Sequence, residues 1–394
     1  MYFCIVKQFE NIFRTIFLAI YAICATSQLS QAQTHEQMDS IEIGLITCSP
    51  HEEVYSLYGH TAIRCHNLAT GEDSIYNYGI FDFKKPYFIW RFVFGLTDYE
   101  LGRSPAGPFF HYYHEWGSQV TEDVLNINAK EKENLLNALR NNYLPQNRSY
   151  RYNYFYDNCA TRPRDIIESN IEGSVVYEQR TGESTSFRDM IRKKTAGHPW
   201  ATFGNDILLG VKADLTTTQR EQEFLPDILQ SDIVRAAIQR DGITTPLIKE
   251  HRIIVPSGQQ TPIDDFPVTP QQCGVIILVI SLCIFVIEHF TRHTFWWFDF
   301  AIMAFTGLAG ILLFLMIFSQ HPTTSINLQI LVLNPLALVF IPSVIRKKKT
   351  RWFAISAICI CLFFIGGIIQ DYAEGINLLA LCLLLRFLRH INDK

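Results

Sequence analysis

Residues 59–64 read Gly-His-Thr-Ala-Ile-Arg, and residues 157–162 read Asp-Asn-Cys-Ala-Thr-Arg. The first stretch predicts a β-strand that carries His60. The second predicts a turn that leads into a helix at Cys159. A cysteine thiolate with an imidazole nearby is a nucleophile for covalent acyl transfer, and so we expect these two side chains to meet in the folded protein.

The composition divides the chain of 394 residues into two unlike parts. Up to about residue 270 the sequence has the mixed polarity of a soluble domain, and beyond it apolar runs dominate. The formal net charge of -4 provides no basic surface for nucleic acid. We expect an α+β domain over residues 33–240, a proline-rich linker over 241–270 and an all-α transmembrane domain over 271–394.

The N-terminus has the features of an export signal. Lys7 and Arg14 precede an apolar stretch over residues 15–25, and Ser30-Gln31-Ala32 resembles a cleavage site. The apolar stretch is shorter than the roughly 20 residues of a spanning helix. We predict a signal peptide over 1–32, with an uncleaved anchor as the alternative, and both would export the following domain.

Five apolar segments predict transmembrane helices in the second half of the chain. They cover residues 271–288, 297–318, 326–345, 352–369 and 375–388. If the first domain is exported, the basic segments 346–351 and 386–394 both lie in the cytoplasm, as the positive-inside rule requires. This topology places the first domain outside the cytoplasm, which in a bacterial cell is the periplasmic side of the inner membrane.

Three polar residues lie in or beside the third predicted span. His321 falls in the loop that precedes it, on the periplasmic side. Asn327 and Asn334 are seven residues apart and would share one face of a helix. Polar residues in membranes often line a cavity, which suggests that these three bind lipid. Hydrogen bonding between helices is the alternative.

Within the first domain, the pattern predicts strands at residues 41–48, 60–66 and 76–81 and helices at 131–142, 158–168 and 221–229. The domain keeps three cysteines, and an odd number in an oxidising compartment suggests a free thiol. A disulfide between Cys48 and Cys65 is one arrangement, and it would leave Cys159 unpaired.

Cys159 is the candidate nucleophile. It follows Asp157 and Asn158, either of which could cap a helix, and a thiol at a helix N-terminus has a lowered pKa. Pro163 lacks a backbone N–H, so we place Cys159 just before the regular helix. The alternative is a buried structural thiol.

The predicted base, His60, needs a group that orients its ring. Asn77 on the next strand is the preferred group, and Tyr78 and Asp82 are alternatives. The competing histidines are His51, His66, His111 and His114. The last two lie three residues apart, but no further ligands complete a zinc site, and we expect no metal.

Four polar residues are candidates for substrate binding in this domain. Asn158, Arg162 and Arg164 lie within about one turn of Cys159, where guanidinium groups could hold a phosphate head group. Pairing of these arginines with nearby carboxylates is the alternative. Arg103 and the aromatic run 109–113 could line a path for an acyl chain, although core packing would account for the aromatics equally well.

Several stretches of the chain together resemble one protein family. They are TCSPHEEVYSLYGHTAIRC (47–65), YNYGIFDF (76–83), FGLTDYELG (94–102), YRYNYFYDNCATRPRD (150–165), FTGLAG (305–310) and SQHPTTSINLQILVLNPL (319–336). These resemble the Lnb-type bacterial lipoprotein N-acyltransferases, with GHTA and NCATR as the most specific blocks. The family is distantly similar to permuted NlpC/P60 thiol enzymes, whose fold is papain-like. The resemblance implies that His60 is the base and Cys159 the nucleophile, whereas the orienting residue does not map cleanly.

By this resemblance, the chain is expected to be a membrane-bound thiol acyltransferase without a cofactor. It would move a fatty acyl chain from a phospholipid, or from the glyceride of a lipoprotein, through a thioester to the N-terminal amine of a bacterial lipoprotein. Two alternatives remain. A cell-wall thiol peptidase or amidase would use the same two residues, and a non-catalytic chaperone of lipids or lipoproteins would need neither.

Overall fold

The computed structural model describes residues 38–82, 84–182 and 184–392. The predicted signal peptide over 1–32 lies outside these residues. A seven-stranded antiparallel sheet forms the centre of the first half. In spatial order it consists of β10 (Ile248–Val255), β5 (Val120–Leu125), β1 (Ile41–Cys48), β2 (His60–Asn67), β3 (Asp73–Ile80), β4 (Asp98–Pro105) and β6 (Ser149–Arg151). The strands predicted at 41–48, 60–66 and 76–81 are therefore the three adjacent strands β1, β2 and β3.

Eight helices accompany the sheet in the described part of this half. They are α1 (Phe88–Val93), α2 (Ala106–Glu115), α3 (Ala129–Tyr143), α4 (Thr161–Glu168), α5 (Phe187–Thr195), α6 (Pro199–Leu208), α7 (Gln219–Gln222) and α8 (Pro226–Arg235). The predicted helix at 221–229 is two helices, because Pro226 starts a new one. We call residues 38–255 the α/β domain.

The sheet is covered on both faces. Alternate residues of a strand point to opposite faces, so Leu45 and Ile63 pack under α3, α4 and α8. On the other face, Ile46 and Ala62 pack under α2 together with Cys48. Burial on both sides explains why the predicted strand at 41–48 alternates poorly in polarity.

The predicted linker at 241–270 is largely wrong. Its first half forms β9 (Ile243–Pro246) and β10, and β10 is the edge strand of the main sheet beside β5. Strand β9 pairs with β8 (Ala237–Arg240), which pairs with β7 (Ser174–Val176) in a small second sheet. Prolines at 246, 256, 262, 267 and 270 suggested a linker, but the first two only flank β10.

The second half contains α9 (Pro270–Thr291), α10 (Trp296–Ile317), α11 (Ala337–Ile345), α12 (Trp352–Gly366) and α13 (Ile376–Asn392), which we call the helical domain. Among the described residues, α9 and α10 are long and apolar enough to cross a membrane, and α12 is a shorter apolar helix. The α+β domain followed by a helical domain was therefore predicted correctly.

The third predicted span, 326–345, is not one helix. It holds a 3-10 turn at Leu328–Leu331, an irregular segment and the nine-residue α11, which at 1.5 Å per residue is too short to cross a bilayer. Asn334 and Pro335 cause the break, since Pro335 cannot donate a helical hydrogen bond. Asn327 and Asn334 consequently share no helical face, contrary to the prediction.

The two domains are in direct contact. Backbone N–H groups of Gly210 and Val211 donate to the carbonyls of Thr323 and Ile326, both at 2.8 Å. Arg192 of α5 donates to the carboxylate of Asp371 at 2.9 Å. The loops that precede α11 and α13 therefore lie on the side of the helical domain that faces the α/β domain, as the predicted topology requires.

The opposite end of the helical domain holds a buried ionic cluster. Arg386 is 1% exposed and donates to Glu288 at 2.7 Å and to Asp299. His390 also bonds Asp299, at 2.9 Å, and its ring stacks on Phe353. Because a charge costs least in a membrane protein when it is paired, the cluster ties α9, α10 and α13 together at that end.

Candidate active site

His60 and Asn77 come together through the register of three strands. His60 starts β2 opposite Cys48, the last residue of β1. By the alternation of side chains, His60 shares a face with Ala62, and Asn77 shares a face with Ile75 of β3. The side chains of both therefore emerge from the same face of the sheet, near one end of these strands.

A short hydrogen bond joins these two side chains. Nε2 of His60 lies 2.6 Å from Oδ1 of Asn77. Because an amide oxygen only accepts, Nε2 carries the proton in this arrangement, and Nδ1 is the ring atom left for a thiol. Among the alternatives for the orienting group, Tyr78 instead accepts from Asn142 and packs in the core on the other face of the sheet.

Cys159 is brought to His60 by a tight turn before α4. The side-chain oxygen of Asn158 accepts from the N–H groups of Ala160 and Thr161, at 2.8 and 3.0 Å, and its amide donates to the carbonyls of Tyr154 and Phe224, both at 2.9 Å. These four bonds fix the turn. Helix α4 begins two residues after Cys159, so the thiol lies just before the helix, as predicted.

The environment of Cys159 favours its thiolate. Burial alone would raise the pKa of the thiol, but the adjacent His60 and the backbone N–H groups of Thr61 and Cys159 lower it below its ordinary value. Burial in turn would lower the pKa of His60, yet Cys159 and the hydrogen bond to Asn77 raise it. Both shifts favour the thiolate–imidazolium form of the pair over the neutral form.

Gly79 forms the backbone wall next to the thiol. Its φ of +98° lies in the region that favours glycine, and a Cβ placed there would lie 3.6 Å from the Cβ of Cys159. The glycine of the YNYG stretch thus lets β3 turn beside the thiol without a side chain in the way. The sequence shows this glycine two residues after Asn77, and it could have been predicted as a site residue.

Cys159, His60 and Asn77 all line one cavity of about 640 Å³. Its walls are mainly apolar, with many Phe and Tyr side chains, and the volume is within the range of sites that enclose small molecules. Tyr112 and Tyr113 from the predicted aromatic run contribute to the wall, whereas Phe109 and Phe110 pack against the core. An apolar cavity around a thiolate suits a substrate with an aliphatic chain.

The helical domain closes part of this cavity. Met316, His321, Pro322, Thr323 and Thr324 belong to its lining, at the end of α10 and in the loop that follows. This placement confirms that His321 and the thiol lie on the same side of the predicted membrane.

A buried arginine fixes the loop that follows α6 within the α/β domain. Arg188 of α5 has no exposed surface and pairs with Asp206 at 3.1 Å and with Asp214 at 2.7 Å. It also donates to the carbonyl of Leu209 at 2.9 Å. Removal of one partner from these buried ion pairs would destabilise the fold strongly, because it would leave a buried charge unpaired. The sequence analysis did not identify Arg188.

The remaining predicted substrate-binding residues in the helical domain serve structure instead. Asn327 donates to the carbonyl of Ile207 at 2.8 Å and accepts from Gln370 at 3.0 Å, so it joins the two domains. Asn334 accepts from the N–H of Leu336 at 3.0 Å, which closes a local turn. Neither residue lines the cavity.

Of the predicted substrate-binding residues of the α/β domain, Asn158 lines the cavity, whereas Arg162 and Arg103 do not. Arg162 forms a two-point bond with Asp157, at 2.5 and 2.8 Å, and its guanidinium lies 3.6 Å from the centre of the Tyr150 ring. Arg103 lies on the opposite face of the sheet from Asn77, where it bonds Glu72 and Ser74. These two arginines are outside the cavity. Asn158 lines it, but the four hydrogen bonds of its side chain go to backbone groups and fix the turn.

The competing histidines are separated by the structure. His51 lines the same cavity, is 4% exposed and stacks on Trp116 at 4.5 Å. His66 lies at the far end of β2. His111 and His114 form an exposed group with Glu115 on α2, whose ligand atoms lie within 4.8 Å of one another. All three of these side chains are open to solvent and lie outside the cavity lining, which places that group apart from Cys159.

The possible disulfide is excluded by the register of the sheet. Cys65 pairs with Ile43, five residues before Cys48 on β1, so the two cysteines are separated by about 17 Å along the strands. They also point to opposite faces. A disulfide needs Cα atoms within about 7 Å, and both thiols are free.

Two family models match the chain. The model of the Lnb N-terminal periplasmic domain matches residues 28–193, and the model of the Lnb transmembrane domain matches residues 262–393. No curated protein and no solved structure matches it. The first matched stretch contains Cys159, His60 and Asn77, and the second contains His321.

Proposed function

The chain belongs to the Lnb family of membrane proteins with a periplasmic domain that process lipoproteins, and from this premise we propose that it is a lipoprotein N-acyltransferase. Cys159 is the nucleophile, His60 the base and Asn77 the residue that orients the base. The observation that carries the proposal is the contact of Cys159 with His60 in an apolar cavity that both domains line.

The first step forms a thioester. The Sγ of Cys159 attacks the carbonyl carbon of a fatty ester, from a phospholipid or from the glyceride of a lipoprotein, and the carbon–oxygen ester bond breaks. The imidazolium of His60 gives its proton to the leaving alkoxide. The backbone N–H groups of Thr61 and Cys159 favour the thiolate that makes this attack.

The second step forms the amide. The N-terminal amine of a lipoprotein attacks the thioester, the carbon–sulfur bond breaks and the Cys159 thiolate is regenerated. His60, neutral after the first step, takes the proton that the amine loses. The thioester is reactive enough for this exchange, so no nucleotide cofactor is required.

The cavity favours acyl transfer over the two alternatives. A cell-wall peptidase or amidase would need an open, polar groove for a peptide, whereas the walls of the cavity around Cys159 are mainly apolar. A non-catalytic chaperone would have no use for a cysteine beside a histidine whose ring is oriented by a 2.6 Å hydrogen bond to Asn77.

The decisive experiment is mass spectrometry of lipoprotein N-termini. Cells that lack the protein should contain lipoproteins with a free N-terminal amine, and the wild-type gene should restore the third acyl chain. Cys159→Ala should fail to restore it. Cys65→Ala removes the buried free thiol of β2, which lies outside the cavity. It is the matched control and should restore the third acyl chain. Full N-acylation with Cys159→Ala would remove the covalent mechanism.

A further inference from the structure

Helix α1 has two unlike faces. Phe88 and Phe92 point inward and line the cavity. Tyr87, Ile89 and Trp90 point outward, with 78%, 75% and 57% of their surface exposed. We call these three residues the outer face of α1. Three large apolar side chains exposed side by side on one short segment mark an interaction site rather than an ordinary solvated surface.

The helix lies against the outer end of α10. The N–H of Gln320 donates to the carbonyl of Phe94 at 3.0 Å, and Nε2 of His321 donates to the carbonyl of Phe92 at 2.9 Å. Phe318, directly after α10, is 65% exposed. The outer face of α1 is therefore next to the point where a membrane-spanning helix leaves the bilayer.

The composition of this segment suits the lipid–water boundary. Tryptophan and tyrosine concentrate at the head-group level, where the ring is apolar and one end is polar. Lys84, exposed three residues before Tyr87, adds a positive charge that attracts anionic head groups. Such a segment lies in the interface plane with its apolar side among the acyl chains.

Aromatic rings connect this helix to the thiol. Tyr99 lines the cavity together with Cys159 and stacks on Phe81 at 4.9 Å. Phe81 stacks on Phe88 at 6.0 Å, and Phe88 stacks on Phe92 at 6.5 Å. All four rings line the cavity, so an apolar wall runs from the thiol to the inner side of α1.

We propose that the outer face of α1 inserts into the periplasmic leaflet of the membrane, and that the acyl donor passes from this leaflet between α1 and the end of α10 to Cys159. The proposal rests on the proposed function for its second half, the path of the donor. The occupant of the outer face is lipid, because that face adjoins the end of a helix whose own exposed side chains are apolar.

The first experiment measures depth in the bilayer without any need for activity. The full chain, with its native cysteines replaced, is placed in nanodiscs of phosphatidylethanolamine and phosphatidylglycerol. An environment-sensitive dye is attached through Ile89→Cys or, as the matched control, through Ile243→Cys. Ile243 is also an exposed isoleucine, at 67%, and lies at the tip of the β8–β9 hairpin.

Lipids with brominated acyl chains should quench the dye at position 89 and leave the dye at position 243 unquenched. If the cysteine-free chain does not fold, the difference in tryptophan quenching between the native protein and Trp90→Phe gives the same information. Equal, water-like signals at both positions would overturn the proposal. So would a dye at position 89 that is in water with lipid alone and becomes shielded only when a diacylated lipoprotein is added, since the outer face would then bind protein.

The second experiment tests the path. Ile89→Asp should lower acyl transfer from bilayer phospholipid by at least about tenfold, because burial of one isoleucine side chain contributes roughly that factor. Ile243→Asp should leave transfer unchanged. In both variants, Cys159 should still react with iodoacetamide at the native rate, which shows an intact site.

The two experiments separate failure of this proposal from failure of the proposed function. If the native protein transfers acyl chains and Ile89→Asp transfers them equally well, the path is wrong and the acyltransferase stands. If the native protein transfers none, the function is wrong, and the quenching still decides whether the outer face of α1 lies in lipid.

Discussion

At Cys159, burial and charge act on the thiol in opposite directions. Burial raises the pKa of the thiol, and the neighbouring His60 more than offsets this, so the net shift is downward. Burial without such a neighbour has the opposite result at Cys65, where it raises the pKa to about 12. Reactivity in this domain is therefore a property of one position, created by the residue next to it.

This balance predicts the pH dependence of thiol alkylation. The rate at which Cys159 reacts with iodoacetamide should fall as the pH drops through the pKa of the thiol, and this fall should occur at a lower pH than for an ordinary cysteine. In His60→Ala the uncompensated burial should raise that pKa above the ordinary value of about 8.5, so the rate at pH 7 should fall at least about tenfold. The measurement is mass spectrometry of the peptide that contains Cys159.

Two further variants complete that series. Asn77→Ala should give an intermediate profile, because a hydrogen bond to a charged ring contributes about 1.5–3 kcal/mol. Cys159→Ala defines the background from other thiols. Identical pH profiles for the native protein and His60→Ala would show that the two side chains do not interact.

At the scale of elements, backbone contact between the loop after α6 and the loop before α11 joins the two domains. Gly210 allows this contact, since a Cβ at that position would lie 2.0 Å from the carbonyl oxygen of Ile326. That oxygen accepts from the N–H of Val211 at 2.8 Å, so it cannot move away without loss of a hydrogen bond. The glycine is visible in the sequence, but the sequence does not show that its partner is the carbonyl of Ile326.

Gly210→Ala should therefore destabilise the protein by about 1–3 kcal/mol, as overpacking of a close contact does. Gly204→Ala is the matched control. Gly204 lies in helix α6 with no atom near the position of a Cβ, so alanine there should stabilise the helix by about 1 kcal/mol. Thermal unfolding of the two variants in the same detergent compares them. Equal melting temperatures would show that the loop contact contributes little.

At the scale of the whole molecule, the loop charges and the domain contact give one topology. Glu374, exposed between α12 and α13, lies on the side of the α/β domain, near the Asp371 that pairs with Arg192. Lys348, exposed between α11 and α12, lies at the opposite end of the helical domain, since Phe353 at the start of α12 stacks on His390 of the ionic cluster. The α/β domain is periplasmic, so the first position is outside and the second is inside.

An impermeant maleimide added to intact cells should consequently label Glu374→Cys and leave Lys348→Cys unlabelled. Both substitutions are made in a chain without other reactive cysteines, and permeabilised cells provide the control in which both positions react. Labelling of Lys348→Cys from outside would reverse the orientation of the helical domain.

Residue patterns were enough to predict the local parts of this protein. Strands β1, β2 and β3 and helix α3 follow from local periodicity, and the position of Cys159 before α4 follows from Pro163. The third span was wrong because its apolar composition was weighed above the break at Asn334 and Pro335. Strand β10 was missed because its partner, β5, is more than a hundred residues earlier in the chain.

The sequence by itself determined which residues carry reactive groups, where the exported and apolar parts lie and which loops are basic, because these are properties of composition and short-range order. Only the tertiary structure decided how those groups are used. It directed Arg103, Arg162, Asn327 and Asn334 to structural bonds outside the cavity and brought His60, Asn77, Asn158, Cys159 and His321 to one cavity. Hydrogen-bond partners and cavity walls depend on strand register and on the contact between domains, and neither is encoded locally.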